Sequence, residues 1–301
     1  MTSSGSDGVL LVAHGTVDAL DDLPEFLRRI RRGRPAPPEL VAELRHRYAA
    51  IGGSPLLDIT RRQGARLSEA LGLPVFLGMR LWRPEISEAL RQAVDSGVRR
   101  LCVLPLAPYS VHVYCGAVAA EHEQLAAEWG ERAPALVDVE PWGTEPALVA
   151  GWVQRIRAAL AAAPGARVVL SAHSLPSRVI AMGDPYREQF EAGAQAVGAA
   201  LGQPAAIAYQ SQGADGGDWL GPDLRAVLER LRSEGADRVV LAPIGFLAEH
   251  VETLYDLDIE AQGWARELGL DLHRVAAPDT EPTLIEALAT VARRALNSAP
   301  R

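Results

Sequence analysis

The 301-residue chain has no lysine: all 30 of its basic side chains other than histidine are arginine. Against them stand 38 acidic residues, for a formal net charge of −8. No basic patch is interleaved with aromatic residues, and aromatics make up only 5% of the chain, so nucleic acid is excluded as the expected partner. Two cysteines, Cys102 and Cys115, are too few for a disulfide framework or a four-thiolate iron–sulfur cluster. No apolar run reaches eighteen residues, so no integral membrane segment is expected. The polar start from Met1 to Gly8 lacks a basic leader region, and a cytoplasmic protein is expected. A Walker loop, a Gly-rich dinucleotide fingerprint and a G-x-S-x-G elbow are all missing, which removes support for nucleotide-driven and serine-hydrolase chemistry.

What is present is a hydrophobic fraction of 48%, enough for a large core, arranged in a repeating pattern. Short β-branched runs occur at Val9 to Ala13, Val75 to Leu77, Leu101 to Leu104, Leu136 to Val139, Val168 to Ala172, Ala205 to Ala208, Val239 to Ala242 and Leu272 to Val275. Helical patterns alternate with them, among them Glu39 to Ala50, Ile86 to Asp95, Pro146 to Ala161, Asp223 to Glu234 and Thr283 to Leu296. Strands apolar along their whole length suit a parallel sheet covered on both faces.

The pattern also echoes itself. Val9-Leu-Leu-Val-Ala-His14 resembles Val168-Val-Leu-Ser-Ala-His173, and Leu104-Pro-Leu-Ala-Pro-Tyr109 resembles Leu241-Ala-Pro-Ile-Gly-Phe246. Two similar doubly wound α/β halves are therefore expected, 1–145 and 146–301. Ligands of such sheets bind beyond the carboxyl ends of the strands. His14, Tyr109, His173 and the segment after Pro243 are thus expected to converge on a cleft.

That last segment is the most informative. Glu252, Asp256 and Glu260 recur every four residues, which on an α-helix makes one carboxylate stripe. The stripe reads either as a solvated helix face or as a ladder of hard oxygen ligands for a divalent cation. Its place just after a strand end favours the ladder, most clearly at Glu252. His173 reads equally as a proton acceptor or metal ligand and as a histidine satisfied at a strand end. His14 has the same two readings, and His250 reads as a cap or packing residue beside the acidic helix. Arg29, Arg31, Arg32 and Arg34 read as partners for carboxylates or as a solvated basic turn.

Together these segments resemble the ferrochelatase family along nearly the whole chain. The matching stretches are Leu10-Leu-Val-Ala-His-Gly-Thr16, Phe26 to Arg34, Gly52-Gly-Ser-Pro55, Gly78-Met-Arg-Leu-Trp-Arg-Pro84, Ser171-Ala-His-Ser-Leu-Pro176 and Gly183-Asp-Pro-Tyr186. Tyr209-Gln-Ser211, Trp219-Leu-Gly-Pro222 and Pro243 to Asp256 complete the set. The resemblance implies two Rossmann-like, chelatase-like halves with four-stranded parallel sheets around a porphyrin cleft. It implies a lyase that inserts Fe²⁺, as a substrate, into a porphyrin, with no resident cofactor and no iron–sulfur cluster. His173 matches the family's invariant histidine and Glu252 the carboxylate facing it. Asp256 and Glu260 match its acidic stripe, which with His173 and Glu252 would handle the metal. Tyr186 and Trp219 match aromatic positions near the site, and His14, Arg29, Arg31 and Tyr109 are expected to meet substrate.

Three features depart from the family pattern or bear on substrate. Val17 stands where the family opening usually has proline, and His14 where coproporphyrin-type relatives often carry tyrosine. The Arg29 to Arg34 segment with Gly52-Gly53 resembles those same relatives. Protoporphyrin IX is the favoured substrate on this reading and coproporphyrin III the alternative, with a monomer expected. A cobalt chelatase and a porphyrin or haem carrier are the other readings. The acidic ladder and the Gly183 to Tyr186 loop argue against the first, and intact His173 and Glu252 against the second.

Overall fold

The computed structural model describes residues 6–213 and 217–298. The chain forms two compact units, Met1–Trp142 with Asp279–Arg301, and Gly143–Pro278.

The first unit runs β1 (Ser6–Ala13), α1 (Leu23–Ile30), α2 (Pro38–Ala50), α3 (Leu56–Leu71), β2 (Val75–Met79), α4 (Ile86–Asp95), β3 (Val98–Pro105), α5 (Val111–Trp129) and β4 (Ala135–Asp138). The second runs α6 (Pro146–Ala162), β5 (Arg167–His173), α7 (Ser177–Ala181), α8 (Tyr186–Leu201), β6 (Ala205–Gln210), α9 (Leu224–Ser233), β7 (Arg238–Ala242), α10 (Val251–Leu254), α11 (Gln262–Leu268) and β8 (Asp271–Arg274). Between α10 and α11 lies a π-helical stretch, Asp256–Ala261. The last helix, α12 (Pro282–Ser298), returns to the first unit and packs on α3, β3 and β4.

The two sheets have the same order, β2-β1-β3-β4 and β6-β5-β7-β8, and every pairing is parallel. All eight expected strands are present, and the echoed segments are the central strands β1 and β5 and their neighbours β3 and β7. The expected boundary at 145 lies three residues beyond the observed one. The assignment of 279–301 to the second half is corrected. The apolar face of α12, with Leu284, Leu288, Val291 and Ala292 buried, covers the first sheet.

Burial explains the strand pattern. Val9 to Val12 and Val168 to Leu170 are almost wholly inaccessible, as residues of central strands covered on both faces must be. In the second unit, Val169, Val239 and Leu241 share one core cluster with Val227, Leu228 and Leu231 of α9 and with Leu257 and Ala261 of the π stretch. The π stretch is therefore anchored in the core on one side, which sets where its polar side points.

Among the described residues no helix is long and apolar enough to cross a membrane.

Candidate active site

In the second unit β5 is flanked by β6, which follows it in sequence, and by β7, which the chain reaches by reversing direction across the sheet. The carboxyl end of β5 is thus a topological switch point, where doubly wound sheets place their ligands. His173 is the last residue of β5. The chain leaving β7 passes over the end of β5 as Gly245 N–H donates to Ser171 O at 3.0 Å. A Cβ on Gly245 would lie 2.6 Å from the Ala172 Cβ, so only glycine permits this crossing. The crossing delivers the 249–256 segment to the end of β5.

There Glu252 Oε2 lies 3.1 Å from His173 Nδ1 and 3.7 Å from His250 Nε2. The nearer contact becomes an ion pair when His173 is protonated, and its Nδ1 is closed off from solvent. The two imidazoles are driven apart in acidity. Burial would lower His173, but the charge of Glu252, its hydrogen bonding and the charge of Asp256 outweigh this and raise its pKa above the ordinary 6.5. For His250 burial prevails over the charges of Glu252 and Glu249, and repulsion from His173 adds to it, so its pKa falls below 6.5. One carboxylate thus sits between a histidine that binds a proton readily and one that does not, an arrangement suited to acid–base work.

Neighbouring groups hold the pair in place. Gln210, 3% exposed at the end of β6, accepts from Ser171 Oγ and donates to Glu252 O. It therefore ties β5, β6 and α10 together. Tyr186 Oη donates to His173 O at 2.8 Å, and Asp184 accepts from Tyr186 N–H in the turn that starts α8. His250 begins α10, its N–H donating to Thr253 Oγ1 at 3.0 Å, and its ring packs on Phe246 with centroids 4.9 Å apart. Ser211, at a φ of 60°, donates to Asp256 Oδ2. A non-glycine residue in the left-handed region is strained, and here the conformation serves the Asp256 contact.

The regular α-helical stripe expected of Glu252, Asp256 and Glu260 is corrected. α10 ends at Leu254, and Glu260 N–H bonds Tyr255 O five residues back. A four-residue step overshoots an α-helical turn by about 40°, and falls short of the wider i→i+5 turn. Asp256 is 5% exposed and committed to Ser211, while Asp258 turns away to Arg274. Among the described residues no group of three or more His, Cys, Asp or Glu side chains is arranged to hold a metal ion. His173 and Glu252 meet, but His173, Glu252, Asp256 and Glu260 do not form a ready-made ligand cage.

The aromatic expectations divide. Tyr186 is 6% exposed and serves the His173 carbonyl, so it acts on the histidine's placement instead of offering its face to a ligand. Trp219 is half-buried and bridges to Pro176, and a Cβ on Gly213 would lie 2.6 Å from its indole ring.

In the first unit, exposed His14 follows β1, with Nδ1 3.4 Å from Tyr114 Oη. Tyr109 is 3% exposed, its hydroxyl pKa pushed up by burial, and it is a packing residue within that unit. Arg29 contacts Glu25 and Glu85 and lies over Trp82 at 5.1 Å, so its charge is largely engaged. Arg29, Glu25, Glu85 and Trp82 line a polar cavity of about 490 Å³ with Arg28 and Arg80. Arg31 is half-buried at the C-terminus of α1.

Sequence reasoning assigned no active-site role to His250, Gln210 and Ser211. The signal for His250 was its place two residues before Glu252, and Gln210 and Ser211 were marked by following a strand within the matching stretch Tyr209-Gln-Ser211.

The ferrochelatase family model matches residues 6–296 of the chain. The chain belongs to the ferrochelatase family. A ferrochelatase of Acidobacterium capsulatum is 37% identical, over 96% of this chain and 94% of that relative. A coproporphyrin III ferrochelatase of Anoxybacillus flavithermus is 36% identical, over 94% of each. Among solved structures, SirB from Bacillus subtilis with Fe³⁺ aligns over 97% of both chains with a TM-score of 0.62 at 15% identity, a likeness of fold. That likeness and the twin sheets agree with the chelatase-like architecture expected of a ferrochelatase.

Proposed function

We propose that this ferrochelatase-family chain inserts ferrous iron into a porphyrin with His173 as proton acceptor and Glu252 as its carboxylate partner. The observation that carries the reading is the 3.1 Å approach of Glu252 to His173 at the switch point of the second sheet. Metalation exchanges two inner N–H protons for one divalent cation, so it needs a base beside the ring. It needs no phosphate chemistry. An imidazole made more basic by a neighbouring carboxylate takes a pyrrole proton more readily at neutral pH. Asp256 supports the imidazolium through its charge, and Glu252 offers oxygen atoms to an incoming hydrated cation. A pocket shaped for a bent ring would favour the reaction further by exposing a pyrrole lone pair. The reading carries with it a cytoplasmic monomer with no resident cofactor.

For the porphyrin itself, protoporphyrin IX is the first expectation. A second reading, coproporphyrin III, is favoured by the arginines at the end of α1, where Arg32 and Arg34 are exposed and able to meet additional carboxylates. Relatives named for that substrate match this chain at 33–36% identity. Anaerobic metalation with Fe²⁺, run on both porphyrins and followed by their visible spectra, tests the proposal. Turnover of either is the expected result, and the faster one assigns the substrate. Binding without turnover of either would replace the enzyme by a carrier.

A further inference from the structure

The segment from His250 to Asp256 is anchored outside the site by a buried ionic node. Arg274, the last residue of β8, is 11% exposed at its side chain. Its Nε and Nη2 grip the two carboxylate oxygens of Asp258 in the π stretch, and its Nη1 binds Glu249 Oε1. Glu249 Oε1 also accepts the Ala277 N–H at 2.8 Å. A hydrogen bond to the Thr253 hydroxyl extends this to the first turn of α10 and helps hold the Glu249 carboxyl below its ordinary value, against burial.

The node therefore fixes position 249, just before His250, and position 258, two residues past Asp256. Everything the site takes from this segment lies between those two anchors. A planar guanidinium that engages one carboxylate with two parallel bonds and another with a third sets distances and angles that a point charge cannot. The backbone it spans changes from α to i→i+5 bonding at Tyr255, a departure from regular helix within the segment the node brackets.

We propose that Arg274 is a positioning residue for iron insertion, holding Glu252 and Asp256 against His173 by clamping Glu249 and Asp258 at the two ends of the segment that carries them. This rests on the function proposed above. A residue that only secured the edge of the sheet would alter stability and leave turnover alone. The clamp instead predicts a loss in kcat with porphyrin affinity retained, because a displacement of about 1 Å in a reacting group costs up to roughly 100-fold.

The experiment compares Asp258→Asn, Arg274→Lys and Arg274→Met in the full chain, by steady-state metalation and by hydrogen exchange. Asp258→Asn releases only the π end and leaves the Glu249 pair, so it remains informative if Arg274→Met does not fold. The expected result is a fall in kcat of about tenfold for Asp258→Asn, a larger fall for Arg274→Met, partial recovery in Arg274→Lys, and a porphyrin KM within about twofold of the parent throughout. Faster exchange is expected across 250–260 while β5 and β6 keep their protection. A kcat within about twofold of the parent in folded Asp258→Asn and Arg274→Lys would overturn the proposal. Should the parent chain metalate no porphyrin, the functional reading falls by itself. The clamp is then judged on exchange alone, and unchanged protection of 250–260 in Asp258→Asn overturns it.

Discussion

The carboxyl ends of β1 and β5 are built alike and equipped differently. Each is a central strand in a sheet of the same order, and each is followed by a histidine or ends in one. At β5 the histidine meets Glu252, delivered by the segment after β7. At β1 the histidine meets the Tyr114 hydroxyl, delivered by α5 after β3, whose first turn carries no acidic residue. α5 is a regular helix of 19 residues, whereas the segment after β7 is a short α-helix running into a π stretch. The scaffold places a side chain at the strand end in both units. The connection after the third strand in each sheet order decides whether that side chain becomes a stronger base.

Replacing each histidine in turn is the harshest way to break the comparison. His173→Ala should lower metalation by at least about 100-fold, the lower range for loss of an acid–base group, with porphyrin binding retained in a fluorescence titration. His14→Ala should change the porphyrin KM more than kcat. Equal losses in kcat would make the two ends equivalent.

Glu252→Gln keeps shape and removes the charge that separates the units, so its kcat should fall by about tenfold or more at neutral pH, read by the same spectral assay. Asp256→Asn keeps the Ser211 contact in reach and removes a second, more distant charge. Its loss should be smaller, about threefold to tenfold in kcat. Smallest is Tyr186→Phe, which deletes one hydrogen bond to the His173 carbonyl. It should cost about 1 kcal/mol of stability in denaturant unfolding, with only a modest drop in rate.

Much of this was legible in the sequence because strand burial and strand order leave strong local marks. Val9 to Ala13 and Val168 to Ala172 have no plausible state but a doubly covered strand, and the residue after each run is a histidine. Glu252 was legible because a carboxylate so close to a strand end stands out from an arbitrary helix face. The destination of α12 was not legible, since an apolar helical face does not say which of two similar sheets it covers. Nor was the π stretch, because four-residue spacing of Glu252, Asp256 and Glu260 is compatible with either kind of turn. The roles of Tyr186 and Tyr109 depend on burial that a motif does not encode. Arg274 lies outside every recognisable motif, and its partners Glu249 and Asp258 are 25 and 16 residues away in the chain.

The most direct test of the account is a pH titration of the histidine ring signals by NMR in the iron-free protein, with and without Glu252→Gln. In the parent chain His173 should titrate above the ordinary 6.5 and His250 below it. Removing the Glu252 charge should bring His173 down, since that charge is what opposes its burial. The sign for stability follows. A raised folded-state value means that the contribution of His173 is full below its unfolded pKa and is lost as pH rises through the folded one. His173 titrating at or below 6.5 in the parent, or unmoved by Glu252→Gln, would contradict the claim that this carboxylate makes the end of β5 the base of the reaction.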